Sequence, residues 1–93
     1  MLYECLRLFR IFHDKKLVDL AKELKISPGY LSEIESGKKR PSMEIINKYA
    51  KIFKTTPSAI LFFSEELDKE KKRGKFKVSI RNKMIKFMQV IEK

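Results

Sequence analysis

A chain of 93 residues leaves room for one domain with an appended element, and a hydrophobic share of 43% is enough for a packed core. Its 22 Lys and Arg against 12 Asp and Glu give a formal net charge of +10, a surplus that favours a polyanionic partner, most commonly nucleic acid. The single cysteine, Cys5, excludes an internal disulfide and a cysteine-based metal site, while the densest apolar patch, Ala59-Ile-Leu-Phe-Phe63, is too short to cross a membrane.

The N-terminus lacks the basic, apolar and small-residue order of a secretory signal, so a soluble, cytoplasmic chain is expected. Residues Leu2 to Phe12 carry apolar groups at Leu2, Cys5, Leu6, Phe9 and Phe12, the stripe of an amphipathic helix interrupted by Arg7 and Arg10. His13-Asp-Lys-Lys16 reads as a polar connector. A second helix follows, with Leu17, Leu20, Ala21 and Leu24 on one face, until Lys25-Ile26 breaks the period. Ser27-Pro28 then restarts it: serine is a helix N-cap, and proline at the first helical position gives up an N–H that has no intrahelical partner anyway. Leu31 and Ile34 supply the buried face of this third helix, and Ser36-Gly37 is a C-terminal stop. Two short helices about a tight turn form a helix-turn-helix pattern, which buries its apolar faces only if the flanking segments pack around it.

Gly37-Lys-Lys-Arg-Pro41 is a basic loop. Ser42 caps a fourth helix with Glu44 in its first turn and Ile45, Ile46, Tyr49, Ala50 and Phe53 on its apolar face. Thr56-Pro57 repeats the cap-then-proline signal and opens a short fifth helix expected to end near Ser64. The expected fold class is therefore all-α, with a compact five-helix domain over 1–64. Charged residues dominate Ser64 to Lys77, read as a solvated helix or a linker. Ser79 is positioned to cap a last amphipathic helix with Ile80, Met84, Phe87, Met88 and Ile91 on one face, too apolar to stay exposed. Residues 65–93 are thus expected to comprise a charged linker and a C-terminal helix that either pairs with a second copy or folds back on its own domain. They are as basic as the rest: 1–64 hold 12 Lys/Arg and 7 Asp/Glu, and 65–93 hold 10 and 5, a net of +5 each.

Leu20-Ala21, Ile26-Ser27, Leu31-Ser32, Ile34-Glu35, Gly37 and Pro41-Ser42 are together more specific than a bare helix-turn-helix. At this spacing, from Leu6 to about Phe63, the chain resembles the lambda repressor/Cro-like (Xre-type) family of DNA-binding domains. The resemblance implies a five-helix domain with Ser27–Ser36 as recognition helix, double-stranded DNA as partner and action as a homodimer. It also implies that Arg10 of the first helix pairs with Glu35 at the end of the recognition helix, a structural role.

Lys38, Lys39 and Arg40 directly follow the recognition helix and are expected to reach backbone phosphates. Lys15 and Lys16 are expected across the groove, and the helix starts at Ser27 and Ser42 offer backbone N–H groups to phosphate oxygens. The reading face departs from the family pattern. Many members carry glutamine where this chain has Leu17, and polar residues where it has Pro28 and Gly29. The groove-facing set is then Pro28, Gly29, Tyr30, Ser32 and Glu33; Gly29 permits close backbone approach, Tyr30 can pack on a thymine methyl, and Glu33 can accept from cytosine N4. So thin a set shifts selectivity towards DNA shape and half-site spacing, roughly 34 Å between half-sites of a dimer.

The function expected is sequence-specific transcriptional regulation, as a repressor, of phage or bacterial type. An antitoxin or anti-repressor-like module, whose main partner is a protein, is the alternative. An enzyme is not expected: with one histidine, one cysteine and neither a phosphate-cradling Gly loop nor clustered carboxylates in an apolar setting, the sequence offers no catalytic, metal or cofactor site.

Overall fold

The computed structural model describes residues 1–72, which form five α-helices and, among the described residues, no strand: α1 (Leu2–Phe12), α2 (Leu17–Leu24), α3 (Pro28–Glu35), α4 (Met43–Ile52) and α5 (Pro57–Lys72). The apolar stripes read from the sequence converge on one core. Leu6 and Phe9 of α1, Leu20 and Leu24 of α2, Leu31 and Ile34 of α3, Tyr49 of α4 and Ile60 of α5 are fully buried. α1 packs against α3 and α5, and α2 against α3 and α4, so α3 is held from two sides. Phe9 anchors the middle, 5.7 Å from the Phe53 ring and edge-on to Phe63 at 6.0 Å, separations at which aromatic pairs add to their burial. Cys5 is a core residue: its thiol donates to the Ile60 carbonyl at 3.7 Å, and burial pushes its pKa up to about 12, so it stays protonated at neutral pH.

Helix starts follow the expected chemistry. Ser27 Oγ accepts from the Tyr30 N–H at 3.1 Å, Ser42 Oγ from Ile45 at 3.2 Å and Thr56 Oγ1 from Ala59 at 3.1 Å. Helix ends use one repeated device. At Asp14, Lys25, Gly37 and Lys54 the backbone turns left-handed, and that residue's amide and the next one reach back to carbonyls of the last turn, as Lys25 to Lys22 (3.1 Å) and Ile26 to Ala21 (3.0 Å) do. Only one of the four carries the glycine that this conformation favours. The α2 end gains a further cap: Lys48 Nζ of α4 donates to the Leu24 carbonyl at 3.1 Å.

One boundary needs correction. The fifth helix does not end near Ser64; it continues through the charged stretch to Lys72. Leu67 falls four residues after Phe63 and is fully buried, and Glu70 a turn later is 6% exposed, so the inward face persists beneath a charged outer one. Lys71 of this extension pairs with Glu4 of α1. The folded body therefore reaches beyond residue 64. The expected C-terminal helix, with the stripe Ile80, Met84, Phe87, Met88 and Ile91, lies outside the described residues.

Candidate nucleic-acid interface

The turn between α2 and α3 is set by the left-handed Lys25 (φ 61°) and by Ser27, whose extended backbone and side-chain cap redirect the chain into α3. Ile26 packs against the core between them, so both helices of the motif share one apolar interior.

α3 has two different ends. Its C-terminal half is locked. Glu35 is only 5% exposed, and Arg10 Nε of α1 lies 3.0 Å from both of its carboxylate oxygens. The Tyr49 hydroxyl of α4 donates to Glu35 Oε2 at 3.2 Å, and Arg10 Nη1 donates to the Lys15 carbonyl at 3.1 Å. Burial, then the neighbouring Glu35 charge, pushes the Tyr49 pKa far upward, so its proton stays in place as a donor. One buried carboxylate thus ties α1, α3, α4 and the loop before α2 into a single frame. A buried acid of this kind is tolerated because a cation and a second donor both satisfy it.

The N-terminal half is open. Ser27, Pro28, Gly29, Tyr30 and Ser32 are exposed and Glu33 is half-exposed. A Cβ placed on Gly29 would meet nothing within 4 Å, so the fold makes no steric demand for glycine there. Pro28 lacks an N–H and Ser27 takes that of Tyr30, so in the first turn of α3 the Gly29 amide is left without an intrahelical partner. At the other end of α3, the Lys38 and Lys39 amides converge on the Glu33 carbonyl at 2.9 and 3.2 Å, and the side chains of Lys38, Lys39 and Arg40 are exposed. Gly37 sets that loop: its φ is +86°, and an added Cβ would sit 3.0 to 3.2 Å from ring carbons of Tyr3.

A family model described as helix-turn-helix matches residues 6–60. The chain belongs to this helix-turn-helix family, of lambda repressor/Cro-like type. A solved structure, that of the clp gene regulator ClgR from Corynebacterium glutamicum, is similar to it with a TM-score of 0.66 and 31% sequence identity, over 77% of this chain and 80% of that one. Comparison with curated proteins gave no match.

In this helix-turn-helix domain the sites read from the sequence are only partly gathered together. Pro28, Gly29, Tyr30, Ser32 and Glu33 share α3, the basic loop follows it, and Ser42 starts α4. Lys15 is already engaged: its ammonium lies 2.5 Å from Glu23 Oε1, an ion pair across α2 that lowers its availability to an external anion. Lys16 is exposed at the N-cap of α2 and makes no side-chain cap. The sequence reading missed Tyr49 as third member of the Arg10–Glu35 cluster, because Tyr49 fits the apolar period of α4 and nothing local distinguishes a buried tyrosine from any other core aromatic. It also passed over Arg7, noted only as an interruption of the first helix's apolar face.

Proposed function

We propose that this helix-turn-helix domain binds duplex DNA as a transcriptional repressor, with the exposed front of α3 in the major groove and Lys38, Lys39 and Arg40 on backbone phosphates. The observation that carries this reading is the division within α3: the back is fastened through buried Glu35, and the front, Ser27 to Tyr30, is exposed, with open space beside Gly29. Three exposed cations directly after that helix are placed to meet the backbone flanking it. Similarity to a gene regulator supports the same direction. With Leu17, Pro28 and Gly29 offering no side-chain donors, base recognition falls to Tyr30, Ser32 and Glu33, and much of the selectivity to DNA shape and to the spacing of two half-sites read by a dimer.

Binding of labelled duplexes across a salt series tests the reading. Neutralising about 6 to 10 phosphates predicts a loss of roughly three to five powers of ten in affinity between about 50 and 200 mM salt. Absence of binding at low salt contradicts it and favours the alternative, a module whose main partner is a protein. That alternative draws support from one feature of α5, the exposed neighbours Phe62 (63%) and Leu61 (39%).

A further inference from the structure

α1 runs alongside the motif. Its N-terminal end, Met1 to Tyr3, lines a cavity of about 480 Å³ with Gly37, Lys39 and Arg40 of the basic loop. Near its other end, Arg10 reaches the carbonyl of Lys15 just before α2. Arg7 lies between these points. It lines a cleft of about 220 Å³ together with Leu17, Ser32 and Ser36, and a larger one of about 420 Å³ that continues past Ser36 to Tyr3.

The charges around this cleft are mostly spoken for. Arg10 and Glu35 satisfy one another at 3.0 Å, Glu4 is paired with Lys71, and Lys15 with Glu23. Among the described residues no carboxylate is within ion-pair distance of Arg7, whose side chain is exposed. An exposed arginine is ordinarily a solubilising charge. Here its position differs from that of a scattered surface cation: the cleft opens beside the exposed edge of α3 and is lined by the Ser32 hydroxyl and by Ser36, whose own hydroxyl donates to the Glu33 carbonyl at 3.2 Å, while its other wall, Leu17, supplies no polar side chain. A planar guanidinium with the Ser32 hydroxyl beside it matches the oxygens of a phosphodiester.

We propose that the Arg7–Ser32–Ser36 cleft is a phosphodiester-binding site, holding one backbone phosphate on the α1 side of α3 while the basic loop holds others beyond its end. The proposal rests on the DNA-binding reading above. The two clamps together fix the register of α3, and Arg7 supplies the polar contact that Leu17 cannot make at the start of α2.

The test is anisotropy with two labelled duplexes of unrelated sequence across a salt series, for the full chain and for Arg7→Gln and Arg7→Lys. Arg7→Gln is expected to weaken binding by the same factor on both duplexes and to reduce the slope of log affinity against log salt by about 0.9 per bound protomer, the loss of one phosphate contact in each. Arg7→Lys, which keeps the charge, is expected to retain most of the slope. A folded Arg7→Gln with the full wild-type slope overturns the site and leaves the DNA reading standing; a wild-type chain that binds neither duplex removes both. The Arg7 Nε–H resonance of the wild-type chain provides a readout independent of any variant's folding: it should shift on adding either duplex, and an unmoved signal contradicts the proposal.

Discussion

The two ends of α3 obey different rules. At the back, Glu35 is buried and answers to two partners, Arg10 of α1 and Tyr49 of α4, so its identity is fixed by the fold. At the front, Pro28, Gly29, Tyr30 and Ser32 face solvent and their identities are constrained by whatever the helix meets. A helix anchored by one end and bare at the other is a means of presenting variable chemistry at a constant angle. The contrast explains how a chain can keep the frame of its family while the front of α3 is poor in side-chain donors.

Breaking the anchored end should have the largest effect. Glu35→Ala leaves Arg10 partly buried without its counter-charge and the Tyr49 hydroxyl without its acceptor, and should cost about 3 to 5 kcal/mol in urea unfolding. The pair Arg10→Met with Glu35→Leu removes both charges and should recover much of that loss, although the entry angle of α3 is then held by packing alone. If Glu35→Ala unfolds at the wild-type urea midpoint, the frame does not depend on this cluster.

The loop between the two regions is the next point of pressure. Gly37→Ala forces a side chain into a left-handed residue and against the Tyr3 ring, at an expected cost of about 1 to 2 kcal/mol. Adding Tyr3→Ala should relieve the steric part and leave the backbone part, and unfolding of the double variant separates them. The bare end should respond least. Gly29→Ala meets nothing within 4 Å and should gain up to about 0.5 kcal/mol from helix propensity. The same change should weaken DNA binding if close backbone approach matters there. A stability loss comparable to that of Glu35→Ala would erase the distinction between the two ends.

How much of this was legible in the sequence follows from how local each cause is. The caps at Ser27, Ser42 and Thr56 act within three residues, and the apolar period of each helix is local by construction; both could be read directly. The left-handed turns at Asp14, Lys25 and Lys54 could not, since aspartate and lysine give no sign of a conformation that glycine announces at Gly37. A solvated helix is one of two readings of the charged stretch, but its continuity with α5 and its buried face are hidden, because Leu67 is the sole apolar residue in 65–72 and its burial depends on α1 lying across it. At the candidate site, the resemblance pointed to Arg10 and Glu35, and the structure places them 3.0 Å apart. Whether a given lysine is free or paired depends on chain segments meeting in space, as the Lys15–Glu23 contact shows.

If α3 aims the domain while the loop supplies much of its hold on DNA, removing the loop's charges must alter the electrostatic part of binding. The most direct measurement is the salt dependence of duplex affinity for the chain carrying Lys38→Gln, Lys39→Gln and Arg40→Gln together, beside one carrying Tyr30→Ala and Glu33→Ala. The loop variant should lose about 2.7 per bound protomer from the log–log slope, three phosphate contacts at about 0.9 each, on every sequence tried. The front variant should keep the slope and lose discrimination between duplexes instead. A loop variant that binds with the wild-type slope would contradict the account.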